Sequence, residues 1–248
     1  MEWFGEAPRT ALVTGGASGI GRATCELLAA AGYRVVVADR DLAGAQAVAQ
    51  HIDGHAVAVD VADEASVGRA FDAALAALEG TLDTLATAAG IIDTTPFLEL
   101  DAATFRRVAD VNVIGTFLCL REAARRMRPG GRVCTVASVA GKRGGGLSGT
   151  AAYAASKGAV LALTRNAARS LAPLGIAVNC VAPGVTATPM LREAMADQAH
   201  RARMEGVALL GRIAEPREIA EAIVWLLSPR ASFVEGETLT VDGGLVLD

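Results

Sequence analysis

Thr14-Gly-Gly-Ala-Ser-Gly-Ile-Gly21 joins a short apolar run, which predicts a β-strand, to an alanine-rich run that predicts a helix from about Gly19 to Ala31. Glycines at 15, 19 and 21 let the backbone turn tightly and approach a ligand closely. The N-terminus of the following helix offers unpaired N–H groups and the positive end of a dipole. This strand, loop and helix therefore predict a binding site for the pyrophosphate of a dinucleotide.

Outward from this loop, short apolar runs and longer helical stretches alternate along the chain. Strands are predicted at 11–14, 34–38, 55–59, 81–87, 132–137, 176–181 and 238–241, and helices at about 19–31, 42–52, 64–78, 103–127, 152–171 and 216–227. Continuous apolar strands are expected when helices cover both faces of a sheet. The pattern predicts one α/β domain over residues 1–248, with a doubly wound, Rossmann-type parallel sheet of about seven strands. The stretch at about 184–212 breaks the alternation, which predicts a substrate lid.

The composition excludes several classes of function. The chain has 248 residues, a formal net charge of −4 and a mean hydropathy of +0.37. A mildly acidic chain without basic tracts argues against nucleic acid as a partner. No apolar run reaches the roughly 18 residues of a membrane span, and the N-terminal residues lack the pattern of a signal peptide. Cys25, Cys119, Cys134 and Cys180 have no metal-ligand spacing and are predicted to be reduced core residues of a cytoplasmic protein.

Asp39 is the residue expected to determine the choice between NAD and NADP, because it ends the second predicted strand, 18 residues after Gly21. A carboxylate there can accept hydrogen bonds from both hydroxyls of an adenosine ribose and repels a 2′-phosphate, which favours NAD over NADP. Arg40 is adjacent and can bind such a phosphate, whereas Ser18 adds no second cation. Asp60, at the end of the third predicted strand, is either an adenine contact or a cap for the next helix.

Tyr153 and Lys157 are four residues apart in a predicted helix, so they share a face one turn apart. An unperturbed phenol loses its proton near pH 10, and a neighbouring ammonium lowers that pKa. Lysine is also a compact, rotatable donor, which arginine is not, and the chain contains only two lysines. This pair predicts a tyrosine whose pKa is lowered by the neighbouring lysine.

Ser138 and Asn112 complete the candidate reacting centre. Ser138 follows the fifth predicted strand and lies at the carboxyl edge of the sheet, where ligands bind in open α/β folds. Asn112 is in the middle of a predicted helix, on a stripe with Phe105, Val108, Thr116, Cys119 and Ala123. Its amide is therefore expected to be buried and to need partners. We interpret it as the anchor of a water that links Lys157 to solvent, with a purely structural hydrogen bond as the alternative.

In combination these residues resemble the short-chain dehydrogenase/reductase family, in its compact, single-domain, NAD(P)-dependent branch. The resemblance covers nearly the whole chain and follows the Thr14–Gly21 loop, Asp39, Asp60, Asn112, Ser138, Tyr153-x-x-x-Lys157, Asn179-x-x-x-Pro183-Gly184-x-x-x-Thr188 and Val241-Asp-Gly-Gly244. It implies that Tyr153 is the general acid and base, that Lys157 binds the nicotinamide ribose and lowers the tyrosine pKa, that Ser138 positions the substrate oxygen and that Asn112 holds a proton-relay water. The implied cofactor contacts are Gly15, Ser18, Gly19, Ile20, Gly21, Asp39, Arg40, Asp60, Val61, Ala89, Gly90, Tyr153, Lys157, Pro183, Gly184, Thr186 and Thr188.

Two features depart from the family pattern. The family usually has Asn-Asn-Ala-Gly after the fourth strand, where this chain has Thr87-Ala-Ala-Gly90, so side-chain amides that tie adjoining strands together are missing. Ser138 and Tyr153 are 15 residues apart, about two more than is typical of the family, with a glycine-rich segment from Lys142 to Gly149 between them. The first departure affects local stability, and the second reshapes the substrate site.

The expected function is hydride transfer between NAD and a small-molecule secondary alcohol or ketone. The apolar lid favours a hydrophobic or alicyclic substrate. One alternative is an NADPH-dependent 3-oxoacyl-thioester reductase, in which Arg192, Arg201 or Arg203 meets a phosphopantetheine arm. Another is a non-catalytic dinucleotide-sensing protein on the same fold. Helices at about 103–127 and 152–171 are apolar on more than one face, which predicts a homotetramer or homodimer.

Overall fold

The computed structural model describes residues 9–145 and 150–247, and its centre is one parallel sheet with the strand order β3-β2-β1-β4-β5-β6-β7. The strands are β1 (Thr10–Thr14), β2 (Arg34–Asp39), β3 (His55–Ala58), β4 (Thr84–Thr87), β5 (Arg132–Val136), β6 (Ala177–Pro183) and β7 (Thr238–Val241). The strand order reverses direction between β1 and β4, which creates a crevice at the carboxyl ends of these two strands. The predicted doubly wound α/β fold in a single domain is confirmed.

Helices cover both faces of the sheet. They are α1 (Gly19–Ala30), α2 (Leu42–His51), α3 (Glu64–Ala77), α4 (Ala102–Ala109), α5 (Gly115–Arg126), α6 (Val139–Arg143), α7 (Ala151–Leu171), α8 (Arg192–Ala196), α9 (Gln198–Gly206) and α10 (Pro216–Leu227). On one face, Leu28 of α1 and Ile223 of α10 pack with Val13. On the other, Phe71 of α3 and Leu118 of α5 pack with Leu12. Strands β1, β2, β4, β5 and β6 are buried on both faces along most of their length, so their sequences are apolar runs without alternation, whereas the edge strands β3 and β7 are partly exposed.

The helix predicted at 103–127 is not continuous. A π-helical turn at Asp110–Ile114 separates α4 from α5, and such a turn inserts one extra residue into a helix. Most of the predicted stripe is buried on either side of this turn, including Val108 and Cys119. Phe105 is 39% exposed, so its assignment to the buried stripe was wrong. The extra residue in the turn changes the register between the two helices.

Other boundaries differ by a few residues. β4 begins at Thr84 and not at 81, and β6 continues to Pro183. Helix α6 was not predicted; Ser138 is its N-cap, and the Ser138 hydroxyl accepts a hydrogen bond from the Ala140 N–H at 3.1 Å. The 184–212 stretch contains a 3₁₀ turn at Pro189–Leu191 and the helices α8 and α9, and its role as a lid stays a prediction.

The four cysteines are free and buried. Burial raises the pKa of the Cys119 thiol to about 12, so this thiol is an inert core group at neutral pH. Within the described ranges, no helix combines the length and the apolar character needed to cross a bilayer.

Candidate active site

A cleft opens at the carboxyl ends of the central strands. All the residues predicted to contact a dinucleotide line it, namely Gly15, Ser18, Gly19, Ile20, Gly21, Asp39, Arg40, Asp60, Val61, Ala89, Gly90, Tyr153, Lys157, Pro183, Gly184, Thr186 and Thr188. Ser138 lines the same cleft, and Asn112 lies behind its wall. The structure thus brings together residues from six strand ends that are far apart in sequence.

The glycine loop is closed so tightly that it excludes side chains at two positions. Gly15 has a φ of +72°, and a Cβ there would lie 2.5 Å from the amide nitrogen of Ala89. A Cβ at Gly21 would overlap the carbonyl oxygen of Gly15. The loop leads into α1, whose N-cap residue, Ser18, makes no side-chain capping bond. The N–H groups at this helix end are therefore suited to an anionic group such as a pyrophosphate.

Asp39 is held at the far end of the cleft by two backbone donors. Its Oδ2 accepts from the Ala17 N–H and its Oδ1 from the Asp41 N–H, each at 3.0 Å. These bonds link the end of β2 to the glycine loop and fix the orientation of the carboxylate. A carboxylate held in this way matches the pair of hydroxyls on an adenosine ribose. Arg40, the adjacent cation, is exposed and lines the same end of the cleft.

Asp60 lines the cleft but is not the cap of the next helix. The N-cap of α3 is Asp63, whose carboxylate accepts from the Ala65 N–H at 2.9 Å. Asp60 instead accepts from the Ala62 N–H at 3.0 Å and so stabilises the turn that follows β3. Of the two alternatives left by the sequence, the helix cap is excluded, and the adenine contact stays a prediction.

Ser138 and Tyr153 face each other across the cleft. Ser138 ends the connection from β5, and Tyr153 is in the first turn of α7. Burial raises the pKa of Tyr153, and the hydrogen bond with the Ser138 side chain acts in the opposite direction. The sequence led us to expect a lowered pKa for Tyr153. The pKa is raised instead, because the loss of hydration on burial outweighs the effects that favour the ionised phenol. Two hydroxyls in contact can hold one oxygen of a substrate between them.

Lys157 lies at the floor of the cleft, one helical turn after Tyr153. Its Nζ is 5.8 Å from the centroid of the Tyr153 ring and donates to the Val136 carbonyl oxygen at 2.9 Å. Burial lowers the pKa of the Lys157 ammonium to about 8. An ammonium has three donors, and the bond to Val136 uses one of them. The others are available to hydroxyl groups of a bound ribose.

Asn112 is fully buried in the π-helical turn, and both donors and the oxygen of its side-chain amide make hydrogen bonds. The Oδ1 atom accepts from the Ile91 N–H, and the Nδ2 atom donates to the Ile91 carbonyl and to the Ser156 hydroxyl, each at 2.9 Å. The Asn112 carbonyl accepts from the Thr116 hydroxyl at 2.8 Å. The structure therefore supports the structural alternative for this side chain. The relay water predicted beside it stays a prediction.

The segment after β6 and the end of the chain form one wall of the cleft. The Thr186 hydroxyl donates to the Gly184 carbonyl at 3.1 Å, and a Cβ at Gly184 would lie 2.7 Å from the Cα of Asp242. The Asp242 carboxylate accepts from the Gly244 and Val246 amides. This turn directs Leu245 into the cleft.

The half of the cleft beside Tyr153 is mainly apolar. Its walls include Ile91, Ile92, Val139, Met190, Leu191, Val207 and Leu245, with Arg143 and Gly145 at the edge. Residues 93–97, which follow Ile92, do not line the cleft, and residues 146–149 of the glycine-rich segment lie outside the described residues. Val139 and Leu245 were missed. The Ser138 cap signals a helix that would have placed Val139, and Asp242-Gly-Gly signals the turn that places Leu245.

Thr87, where the family usually has asparagine, is buried next to Thr14 of β1. Among the described residues, neither hydroxyl has a hydrogen-bond partner. A buried hydroxyl without a partner costs free energy. This arrangement is consistent with the expected effect of position 87 on local stability, which stays a prediction.

The arginines proposed to meet a phosphopantetheine arm lie outside the cleft. Arg192, Arg201 and Arg203 do not line it. Arg201 is paired with Glu205 at 2.9 Å along one face of α9. The geometry gives no support to the thioester alternative.

The fold and the site define a dinucleotide-dependent oxidoreductase: a glycine loop and an aspartate at one end of a cleft, and a serine, tyrosine and lysine set at the other. Residues 15–246 match the family model described as Enoyl-(Acyl carrier protein) reductase. The chain belongs to the short-chain dehydrogenase/reductase family, whose dehydrogenases use nicotinamide cofactors. The predicted family and enzyme class are thereby confirmed.

Similar proteins are known over nearly the full length. Cis-4-hydroxycyclohexanecarboxylate dehydrogenase from Sinomonas cyclohexanicum is 44% identical and aligns over 96% of each chain. Cyclopentanol dehydrogenase from Comamonas testosteroni is 41% identical over 95% of this chain and 96% of its own. The crystal structure of a dehydrogenase/reductase from Sinorhizobium meliloti 1021 superposes with a TM-score of 0.91 at 37% identity, covering 99% of this chain and 98% of that one.

Proposed function

We propose that this protein is an NAD-dependent dehydrogenase of cyclic secondary alcohols, which also reduces the corresponding ketones. The observation that carries the proposal is that Ser138, Tyr153 and Lys157 line one cleft, with the buried Lys157 Nζ 5.8 Å from the centroid of the Tyr153 ring. These groups face an apolar chamber and lie in the same cleft as the glycine loop.

The chain's residues fit a nicotinamide dinucleotide along the cleft. The uncapped end of α1 would hold the pyrophosphate, Asp39 the adenosine ribose, and Lys157 the nicotinamide ribose. Thr186 and Thr188 would contact the carboxamide. When bound, the nicotinamide ring supplies the acceptor or donor of a hydride. We propose NAD in preference to NADP because the Asp39 carboxylate occupies the position at which a 2′-phosphate would be repelled.

Tyr153 moves the proton of the reaction. In the oxidation direction the alcohol loses one hydride and one proton, and the ionised (phenolate) form of Tyr153 accepts that proton; in reduction the neutral phenol gives its proton to the ketone oxygen and becomes the phenolate. The Ser138 hydroxyl holds the same substrate oxygen. With a pKa of about 8, Lys157 is mainly charged at neutral pH and stabilises the phenolate that forms beside it.

The proposal of a cyclic substrate rests on the shape and composition of the chamber. Ile92, Met190 and Leu245 come from three separate segments and enclose the space beside Tyr153. Apolar walls around one polar reacting point suit a ring that carries a single hydroxyl. Two similar proteins are named for ring alcohols, which supports this choice.

The test is a steady-state assay of the purified protein with NAD⁺ or NADP⁺ and a panel of cyclopentanol, cyclohexanol and 2-hexanol. We expect NAD⁺-dependent oxidation, with the cyclic alcohols preferred. Tyr153→Phe should lower turnover by about 10²- to 10⁴-fold while NADH binding, followed by fluorescence titration, is retained. Turnover of the variant close to wild type would reject the assignment of Tyr153.

The same assay decides between the alternatives. Faster reduction of a 3-oxoacyl thioester with NADPH than of any cyclic ketone with NADH would replace our proposal with the thioester reductase. Dinucleotide binding without turnover of any alcohol or ketone would favour the sensing protein. The Ser138, Tyr153 and Lys157 set argues against the sensor, because a protein that only binds has no use for a proton donor at the nicotinamide end.

We also propose that the protein forms a homotetramer or homodimer through the helices at 102–126 and 151–171. Phe105 of α4, Ile114 of the π-helical turn and Phe117 of α5 are each about 40% exposed (39%, 45% and 42%). An exposed apolar surface of this kind is typical of a subunit interface. Light scattering coupled to gel filtration should give a mass of two or four chains, and Phe117→Glu should shift it towards the monomer.

A further inference from the structure

The apolar chamber beside Tyr153 has one charged group at its edge, Arg143. Among the described residues that line the cleft, the other charged side chains are Asp39, Arg40 and Asp60 at the adenosine end and Lys157 on the floor. In the described part of the chain, the Arg143 guanidinium has no ion-pair or hydrogen-bond partner. An exposed arginine at the rim of an apolar site is available to an anionic ligand.

The position of Arg143 is fixed relative to the reacting groups. It ends α6, the helix whose N-cap is Ser138. Val139 and Arg143 are four residues apart on this helix, and both line the cleft, as residues on one helical face do. The Arg143 backbone lies about 7.5 Å further along the helix than Ser138, at 1.5 Å per residue. This separation is comparable with the length of a six-membered ring that carries groups at opposite ends.

The opposite face of α6 is packed against α7, the helix that carries Tyr153 and Lys157. A Cβ at Gly141 would lie 2.5 Å from the backbone nitrogen of Gly158 and 2.5 Å from the carbonyl carbon of Lys157. The backbones of α6 and α7 are therefore in direct contact next to Lys157. This contact holds the helix that carries Arg143 in register with Tyr153 and Lys157.

The geometry points to a specificity site: Arg143 binds a carboxylate on the substrate, at the end of the ring away from the reacting hydroxyl. The preferred substrate class is therefore a cyclic secondary alcohol that bears a carboxylate. This inference rests on the proposed dehydrogenase function and extends it. The guanidinium forms a charge-assisted, bidentate pair with the carboxylate, and the apolar walls contact the ring.

The test compares three substrates that differ at one end of the ring: 4-hydroxycyclohexanecarboxylate, its neutral carboxamide and cyclohexanol. In the wild type, kcat/KM should be highest for the carboxylate. Arg143→Gln should lower kcat/KM for the carboxylate by about 10- to 100-fold, mainly through KM, and leave the two neutral substrates within about twofold. Arg143→Lys should retain only part of the preference, because lysine keeps the positive charge but cannot form the bidentate pair. Lys142→Gln is the control, because Lys142 is on the same helix but does not line the cleft.

A second measurement separates this inference from the proposed function. Cyclohexanecarboxylate, which has no hydroxyl to oxidise, is titrated calorimetrically into the protein with NAD⁺ present. Binding that weakens in Arg143→Gln supports the carboxylate site even if no alcohol is oxidised, a result that would reject the dehydrogenase alone. Equal binding to wild type and Arg143→Gln, or an equal loss of kcat/KM for all three alcohols, would overturn the inference.

Discussion

The side chains of Asn112 and Ser156 are joined by a hydrogen bond of 2.9 Å, although the two residues are 44 positions apart. Ser156 immediately precedes Lys157, and its hydroxyl donates to the Tyr153 carbonyl at 2.7 Å. These two bonds thus connect the π-helical turn to the segment of α7 between Tyr153 and Lys157. We expect Asn112 to act as a positioning residue in this arrangement, because its hydrogen bonds reach the segment between Tyr153 and Lys157.

Asn112→Asp should disrupt this connection with almost no change in shape. The new side chain keeps an acceptor for the Ile91 N–H but loses both donors, so the Ile91 carbonyl and the Ser156 hydroxyl lose a partner inside the protein. We expect the free energy of unfolding in urea to fall by about 2–3 kcal/mol, together with kcat. Ser156→Ala keeps the pair of bonds with Ile91 and should cost about 1 kcal/mol. Equal stability of wild type and Asn112→Asp would contradict this account.

Lys157→Met should remove activity and yet stabilise the fold at neutral pH. Burial lowers the pKa of Lys157 from 10.5 to about 8, which corresponds to a cost of about 3 kcal/mol in the charged form. Between these two pH values the unfolded state binds more protons, so the stability of the wild type rises with pH. The advantage of the variant should therefore be largest below pH 8 and decline towards pH 10.5. Chemical unfolding of both proteins across this pH range measures the difference in their free energies of unfolding. A difference that does not change with pH would refute the prediction.

Asp39→Ala should change the choice of cofactor. Without the carboxylate, the repulsion of a 2′-phosphate is removed while Arg40 remains, so the ratio of kcat/KM for NAD⁺ to that for NADP⁺ should fall by about 10-fold or more. Asp41→Ala is the matched control. It removes the N-cap of α2 and should cost about 1 kcal/mol of stability, but Asp41 does not line the cleft and the cofactor ratio should stay the same. An unchanged kcat/KM ratio in Asp39→Ala would show that another residue determines the cofactor preference.

Thr87→Val should stabilise the protein. It replaces a buried hydroxyl that has no partner among the described residues with a methyl group of the same shape, for an expected gain of about 1 kcal/mol or about 2–4 °C in Tm. Thr84→Val, on the same strand, should have the opposite effect on stability. The Thr84 hydroxyl donates to the Thr10 carbonyl at 3.0 Å in a buried position, so its loss should lower Tm. Two variants that shift Tm in the same direction would show that the hydroxyls are not the cause.

The sequence predicted the fold because its strongest signals are local. The loop from Thr14 to Gly21 specifies a strand, a turn and a helix within eight residues, and the apolar runs specify strands buried on both faces. The position of Asp39 at the end of β2 followed from the same reasoning. These features need no knowledge of which segments meet in space.

The features that were missed depend on contacts between distant segments. The π-helical turn places Asn112 against Ile91 and Ser156, and no periodicity within residues 103–127 contains that information. The raised pKa of Tyr153 depends on how deeply the finished cleft buries the phenol. Helix α6 is only five residues long and contains Gly141, so a pattern based on helical propensity does not detect it.

We expect the two faces of α6 to tolerate substitutions differently, because Gly141 on one face is in close contact with the Lys157 backbone. Substitutions on the side that lines the cleft, at position 143, are expected to alter which molecules the enzyme accepts while the proton-handling groups stay aligned. Any side chain at position 141 would instead push the two helices apart and disturb acceptance and chemistry together. Diversification of this scaffold towards new ring compounds is therefore expected to proceed by exchange at position 143, with glycine retained at 141.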